Sequence, residues 1–106
     1  MLQEILSNFF ISSSKYVENI DYYQIDVSFK SFSNSELNDF VTICYSKLSQ
    51  NKKIIIHYSL QQLEGFTRFM YIFCKTYIKI DSYDEFVDIC LFNKIPFSYV
   101  NVDDVL

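Results

Sequence analysis

The chain has one glycine, one proline, one histidine and no tryptophan among its 106 residues. Each shortage excludes something. Loops that wrap phosphates or oxyanions need several residues at positive φ, a conformation that glycine adopts most readily. With Gly65 alone, no phosphate-cradling loop is expected, no G-x-S-x-G elbow, and no cysteine beside a glycine turn. His57 and the three cysteines, Cys44, Cys74 and Cys90, lack the spacing of a zinc set. Each cysteine lies in an apolar periodic segment, so buried free thiols in a reducing compartment are expected. No apolar run approaches the roughly 18 residues of a membrane span; the longest is FMYIFC at 69–74. The opening MLQEILSNFF has neither a basic n-region nor a small-residue cleavage site. No signal peptide is therefore expected, and the expected localisation is cytoplasmic.

What is present is apolar and aromatic. Half of the residues are hydrophobic and 19% are aromatic, a composition that excludes disorder and suits a single domain over 1–106. The net charge of −4 is unevenly spread. Over 81–106, Asp81, Asp84, Glu85, Asp88, Asp103 and Asp104 oppose Lys94 alone, which leaves the rest near neutrality. A negative field repels phosphate backbones and attracts a basic protein surface. The expected partner is therefore a basic protein, with no nucleic acid and no membrane. A second account is a solvated face that keeps an aromatic-rich chain soluble.

Residues 2–11 place Leu2, Ile5, Leu6 and Phe9 at helical spacing, which predicts a short helix. YYQIDVSF at 22–29 alternates, which predicts an edge strand with one wet side. Ser33 and Glu36 form a capping box, and Leu37, Phe40, Val41, Cys44 and Leu48 continue one helical face behind it. The unbroken isoleucines of KIIIHY predict a strand covered on both faces, as in the middle of a parallel sheet. Residues 60–77 read as a helix apolar nearly all round, which needs burial on two sides or a subunit contact. A homodimer through this helix is one expectation. A short strand at 78–80, a second capping box at Ser82 and Glu85, a helix burying Phe86, Ile89 and Cys90, and a last strand FSYVNV behind Pro96 complete the chain. The expected class is α/β: a three-layer fold with a mostly parallel four-stranded sheet covered by helices, in the order α-β-α-β-α-β-α-β.

His57 near the end of the central strand stands where open parallel sheets bind ligands. No partner arrangement for catalysis accompanies it, and a core or rim histidine is expected. Asp84 and Asp88 share a helical face, with Asp81 just outside the cap, so a Mg²⁺ site is one reading. The helix macrodipole accounts for Asp81, Asp84 and Glu85 without any ligand, but not for Asp88. Nine tyrosines and eleven phenylalanines exceed what one small core holds. Tyr22, Tyr45, Tyr71 and Tyr83 fall off the expected buried faces, and tyrosine beside aspartate suits a binding surface.

From residue 52 onward the layout of strand, loop, helix, short strand, helix and strand resembles a STAS (sulfate transporter and anti-sigma-factor antagonist) domain. In that family a regulatory Ser or Thr sits in a D-S-x-G-like turn. Here the stretch reads SLQQLEG, with Leu63 and Glu64 before Gly65 and Ser59 as the nearest serine. The resemblance implies a partner-switching module regulated by phosphorylation. The residues themselves favour an inhibitor without cofactor or catalysis: an immunity or antitoxin-type protein that occludes a basic toxin, a nuclease first among these. Its partner-binding residues are expected to be Asp81, Tyr83, Asp84, Asp88, Asp103 and Asp104.

Overall fold

The computed structural model describes residues 2–13, 22–25, 33–59, 61 and 63–100. In chain order the elements are β1 (Leu2–Leu6), β2 (Phe9–Ser12), β3 (Tyr22–Ile25), α1 (Asn34–Ser49), β4 (Lys53–His57), α2 (Leu63–Phe73), a π-helical turn over Cys74–Ile78, and α3 (Tyr83–Asn93). The fold is mixed α/β. The strands are ordered β1-β2-β4-β3, with β4 parallel to both neighbours and β1 antiparallel to β2.

The central strand is the one expected. Ile54, Ile55 and Ile56 are fully buried between β2 and β3. Ile54 and Ile56 join Phe9 and Ile11 in the core that the helices close, whereas the intervening Ile55 does not belong to that cluster. Successive strand side chains point to opposite faces, so Ile55 is buried on the face away from that core. The β4 backbone is tied in by Ile54 N–H to Asn8 carbonyl, 2.9 Å, and Tyr58 N–H to Ser12 carbonyl, 3.0 Å.

The helix expected over 2–11 is instead the β1–β2 hairpin, turning at Ser7 and Asn8. Asn8 takes φ 67°, a conformation asparagine tolerates. Helical spacing was present there, but Phe9, Phe10 and Ile11 find strand partners in Ile54, Ile55 and Ile56. Sheet pairing over a β-branched neighbour outweighs weak local periodicity.

α1 follows the sequence closely. Ser33 Oγ accepts from Glu36 N–H at 3.2 Å, and the Glu36 carboxylate accepts from Ser33 N–H at 3.1 Å. Leu37, Val41 and Cys44 are buried, with Phe40 and Leu48 packed at the margin. α2 buries every residue from Gly65 to Phe73 except the half-buried Arg68. Its apolar circumference is thus satisfied within one chain, and a dimer is not needed to cover it. Gly65 lies inside this helix at negative φ; the positive-φ positions are Asn8, Asn51, Lys79 and Lys94. Positive φ is thus supplied by four non-glycine residues and not by the single glycine. Each of these four residues lies in a turn or just past a helix.

The expected strands at 78–80 and behind Pro96 are absent among the described residues. The chain passes from α2 into the π-helical turn, and Lys79 at φ 64° ends it; residues 95–100 are irregular. Both edges of β4 are already taken by β2 and β3, so neither segment can pair with it. The STAS-like alternation and the α-β-α-β-α-β-α-β order are therefore not observed. Only residues 22–25 of the expected 22–29 strand are described. β3 stands at the end of the strand order, beside β4 alone.

Candidate interaction surface

α3 starts at a cap that differs by one residue from the expected box. Ser82 Oγ accepts from Glu85 N–H at 3.3 Å, but the Glu85 carboxylate accepts from Asp81 N–H at 3.1 Å. Glu85 thereby fixes the backbone of Asp81 at the helix entrance. Phe86 and Cys90 turn inward and are buried, and Ile89 is half-buried against the core. The opposite face carries Asp84 and Asp88, both exposed and without an ion pair to any described residue. Residues three and four apart share a helical face, so Asp88 continues directly into Leu91 and Phe92. Leu91 is 64% exposed and Phe92 88% exposed.

Of the residues expected to bind a partner, Asp84 and Asp88 share the outer face of α3, and Asp81 stands exposed just before its N-cap, Ser82. Tyr83 behaves differently. Its ring packs edge-on to Tyr71 at 5.5 Å and against Phe86 at 5.6 Å, half-buried. Burial raises its hydroxyl above the usual tyrosine range, opposed by the Val100 backbone nearby. It anchors the helix and offers little contact area. Asp103 and Asp104 lie outside the described residues. Among the other tyrosines, Tyr71 is buried, contrary to expectation. Tyr45 is 45% exposed and stacks on Tyr77 at 3.9 Å. The Tyr22 side chain lies outside the described set.

The sequence reading missed Leu91, Phe92 and the 85% exposed Tyr99. The signal for the first two was available. Phe86 and Cys90 define the inner face of α3, and Leu91 and Phe92 fall three and four residues beyond Asp88, on the outer one. Tyr99 lies in the irregular segment taken for a strand, where alternation gave no guide.

His57 stands at the carboxyl end of β4, half-buried, with its Nδ1 enclosed and lacking a hydrogen-bond partner. Its register partner on β2 is Ser12, which points to the same face and is 1% exposed. A serine and a histidine side by side invite a nucleophilic reading. A hydroxyl so thoroughly covered, however, cannot be reached by a substrate. Among the described residues no three of His, Cys, Asp and Glu converge to hold a metal ion, so the Mg²⁺ reading of Asp81, Asp84 and Asp88 has no cluster behind it. The three cysteines are free and buried, and burial pushes their thiols up to about 12, with Cys90 adding to the effect at Cys74. Such thiols are inert as nucleophiles. Among the described residues no helix is long and apolar enough to cross a membrane.

Neither a protein-family model, nor a curated protein, nor a solved structure matches the chain. The exposed face of α3 is therefore read on its chemistry alone.

Proposed function

We propose that this chain is a small, non-catalytic interaction module. In this reading α3 docks onto a basic protein surface and occludes it, as an immunity or antitoxin-type protein would occlude a basic toxin. A nuclease is the favoured target, because its cleft must be positive to hold phosphates. The observation that carries the proposal is the exposure of Leu91 and Phe92 on the same face as Asp84 and Asp88. Carboxylates alone would serve solubility equally well. A phenylalanine 88% exposed beside them does not; it supplies the desolvated anchor that protein interfaces use, while the acids steer the encounter. The base for this helix is, in the same proposal, a sheet covered on both faces; the complete burial of Ile55 supports the second cover.

The test is a purification of binding partners on tagged wild-type chain, beside Asp84→Lys/Asp88→Lys and Phe92→Ala, followed by an activity assay of the captured protein. The expected result is one basic protein, inhibited by the wild type and lost with both variants. A partner retained equally by all three chains would refute α3 as the contact.

A further inference from the structure

Tyr45 and Tyr77 take no part in the face presented by α3. Tyr45 follows the buried Cys44 on α1 and is 45% exposed. Tyr77 stands in the π-helical turn, partly buried against the core, with its ring 5.6 Å from Phe73. The two tyrosine rings lie face to face, 3.9 Å between centroids and 7° from parallel. Aromatic pairs in proteins mostly keep centroids about 4.5–7 Å apart, offset or edge-on, because the negative faces of two π-systems repel where they overlap. Tyr71 and Tyr83 follow that habit, edge-on at 5.5 Å and 67°. Overlapped phenols have a chemistry that separate ones lack. When an oxidant removes one electron and the hydroxyl proton from a tyrosine, the unpaired electron spreads onto the ring carbons beside the one bearing oxygen. A second such radical held against the first can bond to it, carbon to carbon. Each joined carbon then gives up its hydrogen as a proton and each oxygen regains one, which restores two phenols joined as dityrosine. In balance the two rings lose two electrons and two protons, and one hydrogen peroxide, acting through a haem peroxidase, takes them up and becomes two waters. A flexible tether would hold two such rings at only about millimolar effective concentration. Here the fold holds them in contact, and the exposure of Tyr45 admits the oxidant.

We infer that Tyr45 and Tyr77 form an oxidative cross-linking site, at which peroxide and a one-electron haem oxidant fasten α1 covalently to the turn that follows α2. The inference is independent of the docking of α3. The test treats the full chain with hydrogen peroxide and a haem peroxidase, then digests the fraction that stays monomeric with trypsin for mass spectrometry. Trypsin leaves Tyr45 in the peptide 31–47 and Tyr77 in the peptide 76–79, each with a single tyrosine. The expected result is a monomer lighter by two hydrogens, with these two peptides joined and in the same yield after the chain is diluted. Tyr45→Phe and Tyr77→Phe should each lower that yield about tenfold or more. Tyr99→Phe, which removes an 85% exposed ring, should leave it unchanged. The edge-on Tyr71 and Tyr83, in peptides 69–75 and 80–94, should stay unlinked. The cross-link closes a loop of about thirty residues, so the linked chain should reach its urea midpoint about 1–2 M higher than the unlinked one. Failure of 31–47 and 76–79 to join, whatever else is oxidised, would overturn the inference, as would a link found only between chains. A linked chain that unfolds at lower urea than the unlinked one would overturn the clamp, because the bond would then distort the fold.

Discussion

Ile55 offers the sharpest test of how the sheet is held. It is 0% exposed yet stands apart from the cluster that contains Ile54 and Ile56. If both faces of β4 are equally packed, truncating any of the three isoleucines removes a fully buried side chain and leaves a cavity. Such changes cost about 2–5 kcal/mol for Ile→Ala and about 0.5–1.5 kcal/mol for Ile→Val. Ile54→Ala, Ile55→Ala and Ile56→Ala should therefore fall within that range of one another. A loss of about 3 kcal/mol, divided by a urea slope near 1.5 kcal/mol/M, lowers the midpoint by about 2 M. Urea titration followed by circular dichroism would measure it, with the valine series as the milder control should an alanine variant unfold outright. The reasoning would be refuted if Ile55→Ala lost less than about 1 kcal/mol while Ile54→Ala lost several, because a buried isoleucine over a packed face cannot be so cheap.

Other consequences concern the helix ends and the thiols. Ser33→Ala removes one half of the reciprocal cap on α1 and should lower stability by about 1 kcal/mol in the same titration. Lys94 follows α3 at φ 57°, where glycine carries no Cβ penalty, so Lys94→Gly should raise stability by about 0.5–1 kcal/mol. With thiols pushed up to about 12 in the fold, an aromatic disulfide reagent at pH 8 should find none in the native chain and three after unfolding. The unfolded thiol ionises near pH 8.5. The folded state therefore keeps its protons longer, and stability should be full below about pH 8.5 and fall as pH rises towards 12. A flat profile over that range would contradict the burial of the cysteines. Phe92→Ala should leave stability within about 0.5 kcal/mol of wild type, since the ring is already in water, which lets any loss of binding be assigned to the contact itself.

How much of this was legible in the residues differs by segment. The cap and apolar face of α1, the helical character of α2 and the inner face of α3 depend on neighbours three or four positions apart, and a linear reading captures them. The central position of β4 was also readable, since three consecutive isoleucines stay dry only where both faces of a strand are covered, as in the middle of a sheet. The outer face of α3 was half legible: its acids were named, while Leu91 and Phe92 were passed over. Apolar residues on the outer face of a helix look like core residues until the core is seen to be complete without them.

The sequence by itself therefore determined the three helices, the central strand and the charge of the face presented by α3. Tertiary structure decided the rest. Residues 2–11 fold as a hairpin because Phe9 to Ile11 meet Ile54 to Ile56, more than forty positions away. Residues 78–80 and 97–100 form no strand, and the two edges of β4, the strand expected to neighbour them, are taken by β2 and β3. Ser12 faces His57 through the same long-range register. Helical hydrogen bonds close within a turn, so their signals lie together in the chain. A strand is stabilised by a partner whose identity no local pattern contains.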